Sequence, residues 1–126
     1  MNVGRKERTT MATTIYKLEK VKGGVTVITL TLDHILHEEH GELMKSFDQL
    51  LNEGHKKIVL DLSMTSYISS LILASFVYMQ KKAIELGGKL IFCQIKNRVE
   101  EILKVTNLDK VFEIVASKEE ALKKFS

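Results

Sequence analysis

The chain has 126 residues, of which 44% are apolar and 28% charged, with a net charge of +3 and no proline. That size and balance describe one folded domain with a full core and exclude a disordered polymer. No apolar run approaches the roughly 18 residues of a membrane span. The lysines are scattered among Asp and Glu and aromatics are only 6%, so neither a nucleic-acid-binding stripe nor a basic membrane-surface helix is expected.

Residues 1–12 are polar, carry Arg5, Lys6 and Arg8, and read as a flexible tail. The positive charge in "MNVGRKERTTMATT" has no apolar segment behind it, so it is not a secretory signal and a cytoplasmic location is expected. "TIYKLEKVKGGVTVITLTL" predicts a hairpin turning at Gly23 and Gly24. "HEEHGELMKSFDQLLNEG" predicts a helix with Leu43, Phe47, Leu50 and Leu51 on one stripe, stopped at Gly54.

"KKIVLDL" is a continuous apolar run, as in a strand covered on both faces. After Ser69 and Ser70 a second helix runs to Gly87 and Gly88, with Ile72, Phe76, Met79, Ala83 and Leu86 inward and Lys81, Lys82 and Glu85 outward. "KLIFCQI" is a strand whose lone Cys93 is a buried small apolar residue with no partner for a disulfide. "NRVEEILKVTNL" is a helix with Val99, Ile102, Leu103 and Thr106 inward, "KVFEIV" a short strand, and "SKEEALKKF" a helix opened by Ser117 with Glu120. The order β β α β α β α β α predicts an α/β sandwich: a mixed sheet of four to five strands with an N-terminal hairpin, flanked by about four helices. The domain spans residues 13–126, with nothing that reads as a linker.

The adjacent serines Ser69 and Ser70 admit three readings. One of them caps the following helix by accepting a free N–H of its first turn. A nucleophile elbow fails, because G-x-S-x-G is replaced by Ile68, Leu71 and Ile72 around the pair. A phosphoacceptor has a physical basis, since a phosphate at a helix start meets free N–H groups and the positive end of the dipole.

"HILHEEH" places His34, His37 and His40 near Glu38 and Glu39, but its spacing is not HExxH, so a solvated helix start is expected rather than a metal site. His55 has no visible partner. Asp61 ends a strand where α/β folds place sites, but no second carboxylate stands at a useful spacing. No glycine pattern calls for a nucleotide, and no cofactor, metal or catalytic residue is expected.

Residues 14–125, nearly the whole chain, resemble the STAS domain of bacterial anti-sigma factor antagonists, most strongly over 56–115. The resemblance rests on Ile58-Val59-Leu60-Asp61-Leu62, then Ser66-Tyr67-Ile68 and Ser70, then Gly87-Gly88 and Cys93, at a spacing that fits without a gap. Over 25–45 it is loose, "LDH" at 32–34 being a partial echo. The resemblance implies a non-enzymatic module that binds a kinase-type anti-sigma factor, releases the sigma factor, and is switched off by phosphorylation at the start of the second helix. In the ungapped register Ser69 stands at the family's Asp, Ser70 at its first hydroxyl, Leu71 at its phosphoacceptor and Ile72 at its glycine. The expected phosphorylation candidates are therefore Ser70 and Ser69, with the usual switch missing at Leu71.

The expected partner-binding residues are Ser66, Tyr67, Ser69, Ser70, Leu71 and Leu73, with Asp33 and His34 beside them, and Leu71, Ile72 and Leu73 forming an apolar docking surface. The partner is a protein, not nucleic acid, and there is no direct membrane insertion. The alternative is a STAS-type accessory subunit of a membrane transport assembly, a role the family also fills.

Overall fold

A computed structural model describes residues 9–12 and 15–125. In chain order the strands are β1 (Thr9–Ala12), β2 (Tyr16–Val21), β3 (Val25–Leu30), β4 (His34–Ile35), β5 (Lys57–Asp61), β6 (Tyr67–Ile68), β7 (Lys89–Cys93) and β8 (Glu113–Val115). The helices are α1 (His40–Asn52), α2 (Ser70–Glu85), α3 (Asn97–Val105) and α4 (Lys118–Lys123), with 3-10 turns at His37–Glu39 and Leu108–Lys110.

Six strands form the main sheet in the order β1-β2-β3-β5-β7-β8. β1, β2 and β3 are antiparallel, and β3, β5, β7 and β8 run parallel. The expected hairpin is β2–β3, turned by Gly23 and Gly24, both at positive φ. Residues 9–12, read from the sequence as tail, instead supply the edge strand that takes the sheet to six. Two further strands, β4 and β6, pair in parallel as a separate two-stranded sheet.

The parallel strands read as unbroken apolar runs because both faces are covered. Ile58 and Leu60 of β5 join Leu43 and Phe47 of α1, Phe76 and Met79 of α2, and Val99 and Leu103 of α3 in the larger core. Val59 points the other way, toward Val25, Val27, Ile91 and Cys93, under Ala121 of α4. The expected stripes of α1 and α2 are buried, except that α2 ends at Glu85 and Leu86 turns out to 48% exposure. Thr106, expected inward, caps α3 and is exposed, its hydroxyl donating to the Ile102 and Leu103 carbonyls.

α1 and α2 end in the same device. A residue at positive φ follows the cap, Gly54 or Gly87, and its N–H and the next one return to carbonyls of the last turn. At α1 the second returning N–H belongs to His55, whose Nδ1 then lies 3.0 Å from the hydroxyl of the buried Thr26. Burial and, less strongly, the Lys20 charge hold His55 below its ordinary value of 6.5, against a smaller opposing pull from Glu53. The unfolded chain therefore takes up the proton more readily than the folded one. The His55 contribution is fully present above about pH 6.5 and is lost as pH falls through the lowered folded value. Denaturant titrations between about pH 7.5 and pH 5 should show wild-type stability falling more steeply than that of His55→Gln. Parallel curves would contradict the assignment.

Candidate functional site

The site lies at the carboxyl edge of the parallel strands, where the chain leaves β5 and enters α2. Asp61 is buried there, its carboxylate accepting the Ser63 N–H at 2.8 Å and the Gln94 side-chain amide at 2.7 Å. Leu62 N–H donates to the Cys93 carbonyl. The loop is thus tied to β7 before it turns.

It is tied as firmly to residues 32–35. The fully buried Thr65 hydroxyl donates to the Leu32 carbonyl at 2.9 Å. Ser66 and Tyr67 N–H groups both donate to the Asp33 carbonyl, at 2.8 and 3.1 Å, and Ser69 N–H donates to the Ile35 carbonyl at 2.9 Å. The Ser66 hydroxyl donates to the Asp33 carboxylate. That bond holds Asp33 below the usual carboxylate range, against an opposing effect of desolvation and with smaller help from the charges of His34, Lys96 and Arg98.

Asp33 Oδ2 also lies 3.3 Å from His34 Nε2. The carboxylate therefore stands between hydroxyl and imidazole. In a Ser-His-Asp triad the imidazole stands in the middle and takes the serine proton, so this order positions the loop rather than activating Ser66.

Tyr67 is 44% exposed and meets His34 edge to face at 5.9 Å. Beside it runs a groove of about 380 Å³ between β6 and α3, lined by Ser66, Tyr67, Arg98, Glu101, Ile102 and Val105 along with Thr106. Its surface is largely apolar, with Val105 84% exposed, and Met64 on the preceding loop is 49% exposed. Among the described residues Arg98 and Glu101 make no ion pair, which leaves two opposite charges available at the rim.

The two serines divide their roles. Ser69 is 4% exposed and is the cap of α2, its Oγ accepting the Ile72 N–H at 3.4 Å. Ser70 is the first residue of α2 and is exposed. Ser69→Ala should cost about 1 kcal/mol in chemical denaturation, the scale of a lost N-cap, and Ser70→Ala almost nothing. Equal losses at the two positions would contradict this division.

The expected apolar surface at 71–73 is not formed. Leu73 is 5% exposed and Ile72 fully buried, because the stripe that faces the sheet begins there. Leu71 is half-buried and faces the seam with α1, beside His40 and Met44. The exposed apolar area comes instead from Met64, Tyr67 and Val105. Of the expected binding residues, Ser66, Tyr67, Asp33 and His34 come together in one cluster, Ser70 is exposed at the start of α2, and Leu73 and Ser69 are buried.

Val105 was legible in principle: it is an apolar residue off the 99, 102, 103 stripe of an otherwise polar outer face. His37 is exposed in its 3-10 turn. Among the described residues no three His, Cys, Asp or Glu side chains are grouped to hold a metal. Cys93 is buried, and burial followed by the Asp61 charge pushes its thiol up to about 12, far from a reactive thiolate. Among the described residues no helix is long and apolar enough to cross a membrane.

The STAS domain matches residues 16–121. A Thermotoga neapolitana protein described as a proposed anti-sigma factor antagonist is 36% identical over 98 residues, 76% of this chain and 87% of that one. A proposed anti-sigma factor antagonist of Thermotoga maritima is 34% identical over the same shares. A crystal structure of a Thermotoga maritima protein so described superposes with a TM-score of 0.73 at 31% identity, covering 87% of this chain and 92% of the other.

Proposed function

The chain belongs to the STAS domain family, and on that premise we propose that it is a protein-interaction module without catalytic activity: a cytoplasmic anti-sigma factor antagonist that binds a kinase-type anti-sigma factor and so frees a sigma factor. The observation that carries this reading is the staple between residues 32–35 and 65–69. Its backbone and hydroxyl bonds spend the polar groups of both segments on each other. What is left outward is the Tyr67 side chain, on a backbone tied to Asp33, at the rim of an apolar groove that no segment of the described chain fills. An aromatic anchor carried on a preformed loop spares the backbone entropy of docking, which suits it to protein recognition. The names of the Thermotoga relatives support the same role.

The proposal extends to regulation. At the position of the family's phosphoacceptor this chain has Leu71, which has no hydroxyl, and the neighbouring Ser69 hydroxyl is buried in the cap. Ser70 is the one exposed hydroxyl left at the start of α2. One residue earlier on a helix is a rotation of about 100°, so a kinase aligned on this helix meets Ser70 at the wrong angle. The antagonist is then constitutively active. Incubation with its cognate kinase and ATP, followed by phosphosite mapping, should find no stoichiometric phosphate. Full phosphorylation of Ser70 that abolishes binding would restore the ordinary switch and overturn this part of the reading.

A further inference from the structure

α1 and α2 lie side by side on the outside of the domain, and the seam between them is bridged near its middle by Tyr78 and Asp48. Two depressions of about 370 and 300 Å³ flank Tyr78, which lines both, and together they make a trough that this side chain interrupts. It runs from Leu71 at the start of α2 to Leu86 at its end, about 22 Å at 1.5 Å per residue. Tyr78 stands at its midpoint, 38% exposed, and is fixed on both sides. Its hydroxyl donates to the Asp48 carboxylate at 3.2 Å, and the Lys82 ammonium lies 5.9 Å from the ring centre.

The two ends of the trough differ in a complementary way. One end pairs Leu71 and Met44 with the imidazole of His40. The other pairs Leu86 with the carboxylate of Glu85, and Leu86 is 48% exposed. Among the described residues the His40 imidazole has no hydrogen-bond or ion-pair partner, and the Glu85 carboxylate has only the exposed Lys82 at 3.5 Å. A two-fold axis through Tyr78 sets the first end of one copy on the second end of another. It brings Leu71 to Leu86 and an imidazole N–H to a carboxylate, twice, with the two tyrosines at the centre.

We propose that this face is where a second copy of the chain docks, as an isologous pair with Tyr78 on the axis. The footprint, about 22 by 20 Å from two adjacent helices, lies at the small end of specific interfaces, so the dimer is reversible and concentration-dependent. The surface is separate from the groove beside Tyr67, so a dimer keeps both antagonist sites open. It also gives Leu71 an apolar neighbour at a position where a charged phosphoacceptor would face a dry contact.

The test is sedimentation equilibrium of the full chain from about 10 µM to about 0.5 mM. The mass should climb from one chain to two. Ala74→Arg is exposed in the trough and compatible with the helix, so it should keep the circular dichroism and Tm of the wild type while weakening association more than about tenfold, which is about 1.4 kcal/mol. Val105→Arg, on the other groove, should leave the dimer intact. A chain that stays monomeric throughout, or a dimer indifferent to Ala74→Arg, overturns the proposal. So does a monomer in which Ala74→Arg abolishes binding of the kinase-type anti-sigma factor, which would assign this face to that partner.

Discussion

Gly88→Ala should destabilise the domain by about 3 kcal/mol, a drop in Tm on the order of 10 °C. A Cβ built on Gly88 falls 2.0 Å from the Lys56 carbonyl oxygen and 2.6 Å from its carbonyl carbon. The obstacle is backbone, not the end of a flexible side chain. The same carbonyl accepts the Lys89 N–H at 2.8 Å, so moving it away loosens the pairing of β5 with β7 at the centre of the sheet. Gly87→Ala is the informative comparison. Gly87 sits at φ +85 and its Cβ meets nothing nearer than the Lys56 ammonium at 3.9 Å. Its cost is the left-handed conformation alone, about 1 kcal/mol. Urea titration of the two variants separates a steric requirement from a conformational one, and equal losses would refute the distinction.

Tyr67→Glu should weaken binding of the anti-sigma factor by at least about 30-fold, or 2 kcal/mol, the scale of a central aromatic anchor. The loop beneath it should persist, because the bonds that hold it come from the Ser66 and Tyr67 backbone N–H groups and from the Thr65 and Ser66 hydroxyls. Stability should therefore change by less than about 0.5 kcal/mol, as for most exposed positions. Ile84→Glu is the control. Ile84 is 58% exposed near the far end of α2 and should leave binding unchanged. Calorimetric titration against the anti-sigma factor reads all three proteins. Unimpaired binding of Tyr67→Glu would remove the groove from the interface.

The elements that span the core could be read from residues alone. β5 and β7 announce themselves as unbroken apolar runs, and α1 by Leu43, Phe47, Leu50 and Leu51 at helical spacing. β4 and β6 could not be read this way. A two-residue strand has no period, and what forms this pair is the meeting of Asp33 with Ser66 and Tyr67 across 33 residues. Separation in sequence likewise hid the partner of His55, since nothing local links it to Thr26.

The candidate site was legible in part for the same reason. Ser66, Tyr67 and Ser70 lie in one short segment whose resemblance to a family loop marks them. Leu71, Ile72 and Leu73 look alike in sequence but divide between seam and core once the helix is wound, each step turning by about 100°. Gly88 was read as part of a helix stop, yet only Gly87 and the returning N–H groups need that role. The requirement at Gly88 is space beside a neighbouring strand, which no local pattern carries.

The most direct measurement begins with a preformed complex of the sigma factor and kinase-type anti-sigma factor from the chain's own organism. The chain is added stoichiometrically, and the mixture is resolved by size-exclusion chromatography with mass detection. Free sigma factor should appear together with a new complex of this chain and the anti-sigma factor, before and after incubation with ATP alike. If the original complex survives intact and the chain elutes alone, the protein is not an antagonist of that system.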